Sequence, residues 1–205
     1  MAKLPEPPSR LEVAPEMRVL RKGHRLWRVY FAGGAFPMTW SGFRHFGPTS
    51  ARFDHHPDPR RLHAGAAILY AADHPDTCLA ELFQRTRVID RARHSPWLVG
   101  FRVDRDVTLL DLTSAWPTRA GASMAINTGP RPRARRWSRA IHAAYKQIEG
   151  LYYPSSMHAN QPSVALFEAA QTALPAAPDF HRALADLSLL PRLTSTAARL
   201  GYRLI

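Results

Sequence analysis

The stretches of this chain that could lie inside a sheet are short and spread along its whole length, and helical segments fall between some of them. RLWRVYF at 25–31 is β-prone and alternating, and AILYAA at 67–72 is a compact apolar run. Residues 97–103 and 107–110 read as two strands joined by a tight Asp104-Arg105-Asp106 turn. Residues 150–153, a Pro154-Ser155-Ser156 turn and SVALF at 163–167 read as strand, turn, strand. DTCLAELFQR at 76–85 follows His74-Pro75 and sets Leu79, Leu82 and Phe83 on one helical face. Residues 134–148 predict a second helix. Residues 180–200 predict two short helices split at Pro191, with an extended piece at 202–205. Strands and helices mixed in this way predict one α+β domain, and 205 residues are enough for one core and crowded for two.

The flanks of these elements differ in character. Residues 1–22 are proline-rich and charged with no clean period, and read as an N-terminal arm or loosely packed leader before a domain spanning 23–205. Residues 32–66 hold many Gly, Pro, His and Arg. An irregular stretch of that length inside a domain is usually functional, or else hides a pair of strands.

A hydrophobic fraction of 45% excludes a disordered chain, and no run approaches the ~18–20 apolar residues of a membrane span. MAKLPEPPSR lacks the apolar core of a secretory signal, and the single Cys78 cannot form an internal disulfide, so a reducing, cytoplasmic setting is expected. The net charge is +12, and all but three of the 28 basic residues are arginine, the exceptions being Lys3, Lys22 and Lys146. Guanidinium forks suit phosphate and carboxylate, although an arginine-rich coding bias would look the same. From 112 to 148 there is no acid at all, while Arg119, Arg131, Arg133, Arg135, Arg136, Arg139 and Lys146 are basic. That stretch reads as a solvated basic face, as a docking surface for an acidic partner, or as an attractor of phosphates. RPRARRWSR at 131–139 also admits a nucleic-acid reading, with Trp137 stacking a base. No helix-turn-helix or zinc-knuckle pattern accompanies it, so direct nucleic-acid binding is the lesser expectation.

The common catalytic signatures are missing. Neither G-x-G-x-x-G nor G-x-x-x-x-G-K-[ST] occurs, nor a G-x-S-x-G elbow. Ten histidines invite a metal, yet His55 and His56 are adjacent and would point to opposite sides of a strand, and no H-x-x-x-H or C-x-x-C pair completes a site. No metal is expected.

Four separated pieces carry more. They are Leu26-Trp27-Arg28-Val29; the run 46–54, FGPTSARFD; ILYAA at 68–72 with Ala80-Glu81-Leu82; and Tyr153-Pro154-Ser155-Ser156 with SVALFE at 163–168. In this order and at these separations they resemble the RES domain family, from about Arg25 to Glu168. The resemblance implies a fold like the ADP-ribosyltransferases, with a central mixed or antiparallel β-sheet and flanking helices. It implies an NAD⁺-consuming toxin that releases nicotinamide by hydrolysis or phosphorolysis, with NAD⁺ as substrate, inorganic phosphate as a co-substrate of the second reaction, and no prosthetic group. A mono-ADP-ribosyltransferase acting on a protein target is the alternative. The implied partner is a small helical, Xre-like DNA-binding antitoxin that blocks the active site, within a complex where the toxin could also self-associate. By the same analogy the family arginines fall on Arg28 and Arg52, the tyrosine on Tyr70, the glutamate on Glu81 and the serine on Ser155. At the second arginine this chain has Ala51-Arg52-Phe53-Asp54 where the family commonly has Gly-Arg-Trp-Asn, and Ser156 lies beside Ser155.

The chemistry suits those residue types. Cleaving the nicotinamide–ribose bond passes through an oxocarbenium-like state, as glycoside cleavage does, and nicotinamide leaves as a neutral molecule. Glu81 would stabilise the cationic ribose and orient the attacking group. Arg28 and Arg52 would clamp the pyrophosphate, Tyr70 would stack on nicotinamide or donate to ribose, and Ser155 would hydrogen-bond the ribose or the amide. Each also has an ordinary explanation: a solvated helix carboxylate, an ion-paired strand arginine, a loop charge, a core tyrosine and a turn serine.

Overall fold

The structure is a computed structural model that describes residues 4–205. In chain order its strands are β1 (Met17–Leu20), β2 (Arg25–Phe31), β3 (Phe46–Gly47), β4 (Arg61–Leu62), β5 (Ile68–Ala72) and β6 (Val88–Ile89). They continue with β7 (Pro96–Arg102), β8 (Val107–Asp111), β9 (Gly150–Pro154), β10 (Pro162–Phe167), β11 (Phe180–Ala183) and β12 (Arg203–Leu204). The helices are α1 (Pro75–Phe83), α2 (Trp116–Arg119), α3 (Arg131–Ala144) and α4 (Leu190–Leu200). Eight strands form one sheet in the order β1-β8-β9-β10-β5-β2-β7-β11, while β6 pairs with β12 and β3 with β4. The large sheet is antiparallel apart from the parallel neighbours β8 and β9. It is the mixed sheet with flanking helices that the sequence led us to expect.

Both faces of the sheet are covered, which is why β5 and β10 are apolar on both sides rather than alternating. One face packs Leu26, Leu69, Ala71, Phe101 and Leu166 together. On the other, Ile68, Leu110, Leu151 and Phe167 meet Trp137 and Ile141 of α3. A third cluster joins α1 to α4 over the β2–β7 end through Leu79, Phe83, Leu98, Leu193 and Ala197. Of the seven neighbour contacts in the sheet, one is minimal: β2 and β5 pair only at Trp27 and Ala72. Past that pair the strands diverge toward Val29 and Tyr70.

Two expectations need correction. Residues 180–200 are not two helices split by Pro191. Phe180–Ala183 is the edge strand β11, and Pro191 sits in the first turn of α4, where its missing N–H is one no helix uses. The proline marks a helix start. The described part of the N-terminal arm is also not loose. Leu4 is a core residue, the Trp137 indole donates to the Pro5 carbonyl at 2.8 Å, and Glu6 accepts from Arg136. Met17–Leu20 then closes the sheet edge as β1. Residues 1–3 of the expected arm lie outside the described residues.

The irregular stretch before β5 is organised from within. Asp54 accepts from the Thr49 amide (2.7 Å), the Thr49 hydroxyl (2.6 Å) and Arg44 Nη2 (2.9 Å), and also contacts the His56 ring. Burial alone would raise its pKa, but the His56 and Thr49 hydrogen bonds with the Arg44 charge hold the carboxyl well below the usual range. The aspartate that replaces the family's asparagine is therefore the knot of the Arg52 loop. Next to it His55 is packed between His142 and Phe167, each ring 4.4 Å away, with neither ring nitrogen hydrogen-bonded. Burial, then His142 and His56, push the His55 pKa down to about 3; burial lowers His142 as well.

Both histidines are therefore neutral in the fold and proton-accepting once unfolded. Above pH ~6.5 they leave stability unchanged; below it the unfolded chain binds protons that the folded chain refuses, and stability falls. Urea unfolding at pH 7.5 and pH 5 should show a loss of about 2 kcal/mol from His55 alone, and His55→Phe should lose correspondingly less. A chain starting at residue 23 lacks β1 and the Leu4 contact, and should unfold at least about 2 kcal/mol more easily than the full chain in the same assay.

Candidate active site

Where β2 and β5 part, a cleft of about 250 Å³ opens on the α1 side of the sheet. Val29 and Tyr70 come from the two diverging strands, Thr77, Cys78, Glu81 and Gln84 from α1, Arg52 from the loop, Asn127 and Arg131 from the entry to α3, and Tyr153 and Ser163 from β9 and β10. The helix that delivers the carboxylate is well set. His74 caps it by accepting from the Asp76 amide, Pro75 opens it, and Asp76 is held by Thr196 (2.9 Å) and Arg199 of α4. Leu79 and Phe83 fix its inner face in the core, which leaves Thr77, Glu81 and Gln84, at spacings of four and three, along the cleft face. At the base of the divergence the Cys78 thiol donates to the Trp27 carbonyl at 3.0 Å, and burial pushes that thiol far above its ordinary pKa. Opposite, Gly100 makes room for the Trp27 indole: a Cβ there would lie 2.8 Å from the ring.

Glu81 has two anchors. Its Oε1 accepts from the Ser155 hydroxyl at 2.5 Å, and its Oε2 accepts from Gln84 Nε2 at 3.3 Å. Ser155 is fully buried, and its oxygen accepts the amides of Met157 (3.2 Å) and His158 (3.1 Å). With two amides on its lone pairs and its one proton given to Glu81, the hydroxyl's capacity is used up. Of the adjacent serines, Ser155 reaches the carboxylate from behind while Ser156 faces the cleft and is exposed. Thr77 ties the same turn to α1 through His158 Nδ1 at 2.9 Å.

Arg52 crosses the cleft wall to donate to the Gly129 carbonyl at 2.6 Å. Burial and then the nearby Arg131 lower its pKa, opposed by Glu81, Tyr153 and Tyr70. The Tyr70 hydroxyl is buried close to the Phe53 backbone and makes no well-formed hydrogen bond; burial raises its pKa far above the ordinary value. Tyr153, whose ring lies tilted against Phe53 with centroids 4.7 Å apart, is raised likewise by burial, then by Glu81 and Tyr70.

The structure thus brings Arg52, Tyr70, Glu81 and Ser155 together and leaves Arg28 out. Strand alternation decides this, because Val29 faces the cleft and its neighbour must face the other way. Arg28 Nη1 donates to the carbonyls of Trp40 (2.7 Å) and Gly42 (3.0 Å), and burial lowers its pKa to about 10. Among the described residues no carboxylate lies within ion-pair distance of it. Arg28 braces the 40–42 loop.

Sequence reading missed Gln84, Asn127, Tyr153 and Ser163 as site residues, and Arg131 appeared only as one of a basic run. Gln84 was within reach, three residues past Glu81 on the same helix; nothing local marks Asn127. The basic stretch itself is largely engaged. Glu6 pairs with Arg133 and Arg136, Asp58 with Arg139, and Arg131 Nη2 donates to Gln84 Oε1 at 2.6 Å. Trp137 is a core residue packed edge-on against Trp116, so it is not a platform for a base. Among the described residues no group of three or more His, Cys, Asp or Glu could hold a metal ion, and no helix is long and apolar enough to cross a membrane.

Comparison with solved structures finds the same fold in a chain of the M. tuberculosis MbcT–MbcA toxin–antitoxin complex. The TM-score is 0.54 at 18% identity, covering 80% of this chain and 85% of that one. No match is found among curated proteins. The RES domain family model, however, matches residues 25–186, which span the large sheet from β2 to β11, helices α1 to α3 and every residue lining the cleft. The chain belongs to the RES domain family.

Proposed function

We propose that this protein is the NAD⁺-consuming toxin of a toxin–antitoxin pair and that it cleaves the nicotinamide–ribose bond at the β2–β5 cleft. The observation that carries this is the Glu81 carboxylate, anchored from behind by Ser155 and facing a cleft whose other wall carries Arg52 and Arg131. A cleft of about 250 Å³ is smaller than the ~300–1,000 Å³ of sites enclosing a drug-sized ligand. It suits the nicotinamide–ribose half of the dinucleotide, with the phosphates at the arginines and the adenine half outside.

In the reaction the C1′–N bond breaks and its electron pair goes to the pyridinium nitrogen, so nicotinamide departs neutral and needs no general acid. Positive charge builds on the ribose, and the half-buried Glu81 carboxylate stabilises it. A water or phosphate oxygen then bonds to C1′; a water's proton passes to Glu81 or to solvent. Ser155 is a holder of Glu81 and not a nucleophile, since its proton is committed to that carboxylate and its lone pairs accept the Met157 and His158 amides. Arg52 and Arg131 give the pyrophosphate the guanidinium contacts first expected of Arg28 and Arg52. The likeness to a chain of a toxin–antitoxin complex supports an antitoxin partner; that it is Xre-like and blocks this cleft is what the family resemblance implies.

Purified protein should release nicotinamide from NAD⁺, measured in phosphate-free buffer and again with inorganic phosphate, stimulation by phosphate selecting phosphorolysis. Glu81→Ala should cut the rate by about 10²–10³-fold with the melting temperature kept. Arg52→Ala should raise KM by about 10–100-fold, the worth of a charge-assisted hydrogen bond. Full activity in Glu81→Ala would overturn the assignment. A wild type silent in both buffers would point to mono-ADP-ribosylation of a protein target.

A further inference from the structure

Gln84 stands between two charges that would otherwise meet. Its Nε2 donates to the Glu81 main-chain carbonyl at 2.6 Å and to Glu81 Oε2 at 3.3 Å, and its Oε1 accepts from Arg131 Nη2 at 2.6 Å. The guanidinium has no acceptor atom, so Arg131 fixes which end of the amide faces it, and the amide's N–H groups must then face Glu81. Gln84 is the C-cap residue of α1, three residues after Glu81, while Arg131 is the first residue of α3. The link therefore spans the cleft mouth from the end of one helix to the start of another. On its far side Arg131 Nη1 faces the Ser50 carbonyl at 3.5 Å, next to the loop that carries Arg52.

We propose that Gln84, oriented by Arg131, is a positioning residue that sets the Glu81 carboxylate for the reaction. The proposal rests on the functional reading above and adds a residue to it. Ser155 holds one carboxylate oxygen and Gln84 the other, so rotation about the Glu81 side chain is stopped at both ends, and the lone pairs left over point into the cleft. A neutral amide in this place also does what a direct ion pair could not. A guanidinium bonded to Glu81 would neutralise the charge that the cationic ribose needs, whereas the amide relays the orientation and leaves the carboxylate its charge.

The test is Gln84→Met, close in size and unable to hydrogen-bond, with Arg131→Met and the double variant. Nicotinamide release by Gln84→Met should fall about tenfold in kcat, the worth of one hydrogen bond, with KM within twofold and the melting temperature unchanged. A residue that merely supported the fold would lower the melting temperature, and one that bound substrate would move KM. In kcat the double variant should be no slower than Gln84→Met alone, because Arg131 acts on that parameter through Gln84. Wild-type kcat in Gln84→Met overturns the proposal, as does strict additivity in the double variant. Should the wild type prove inactive on NAD⁺, the functional reading fails by itself. The positioning role is then decided by crystal structures: a Glu81 carboxylate that rotates away in Gln84→Met supports it, and one that keeps its place and its Ser155 contact overturns it.

Discussion

The single pairing of Trp27 with Ala72 is the point on which the rest of the molecule turns. A sheet buried on both faces gains most when every strand is zipped to its neighbours, and seven residues of β2 are fully paired to β7 on the other side. Between β2 and β5 the ladder stops after one pair. The backbone groups left open there border the cleft, and the Cys78 thiol takes up one of them, the Trp27 carbonyl. A cleft at a break in a sheet has rigid walls on both sides, which a loop-built pocket does not. Tyr70, Glu81 and Tyr153 are accordingly carried on strands and a helix that packing holds in place.

Charge is arranged around that break in a consistent way. The formal excess of +12 suggests a broadly basic surface, yet acids are spent locally to quiet it. Glu6 reaches back from the N-terminal strap to Arg133 and Arg136, and Asp58 reaches Arg139, each pair exposed and worth little to stability. Among the described residues Arg52 and Arg131 have no such carboxylate: Arg52 donates to a carbonyl and Arg131 to an amide. Two guanidiniums on neutral acceptors beside an anchored carboxylate leave positive and negative fields side by side, which is the pattern a zwitterionic stretch of pyridinium-ribose and pyrophosphate would meet.

How much of this could be read in the residues alone depended on whether the signal was local. The strands 25–31, 67–72 and 163–167 were legible because their apolar runs are short and punctuated, and the helix after Pro75 because its cap and inner face are contiguous. Glu81, Arg52, Tyr70 and Ser155 were legible as a set only through the family pattern. Arg28 misled because a motif records that an arginine stands on a strand, and not which face of the strand it occupies. β1 and β11 were missed as edge strands, where half the backbone is unpaired and little apolar patterning is needed. Asn127 was invisible, since its place in the cleft is set by α3 and the end of β8, elements that come together only in three dimensions.

Stability and binding pull apart at the same residues. The Tyr70 hydroxyl, Asn127 Oδ1 and Ser163 Oγ are buried without a well-formed partner, and all three residues line the cleft. Asn127 is held by its other end, Nδ2 donating to the Leu112 carbonyl at 3.1 Å, so its acceptor oxygen cannot turn away to find a donor. An orphaned buried polar group costs about 1–3 kcal/mol, and a fold optimised for stability alone would fill these positions with apolar side chains. Buried atoms without a well-formed partner also occur away from the cleft, on His55, His56, Arg91 and Trp116, whereas Asp76 against α4 and Ser138 on the Phe53 carbonyl are satisfied. The three that line the opening of the sheet differ from the others in facing a cleft, where a site keeps hydrogen-bonding capacity in reserve for a ligand, with the three packed clusters around it supplying the stability it gives up.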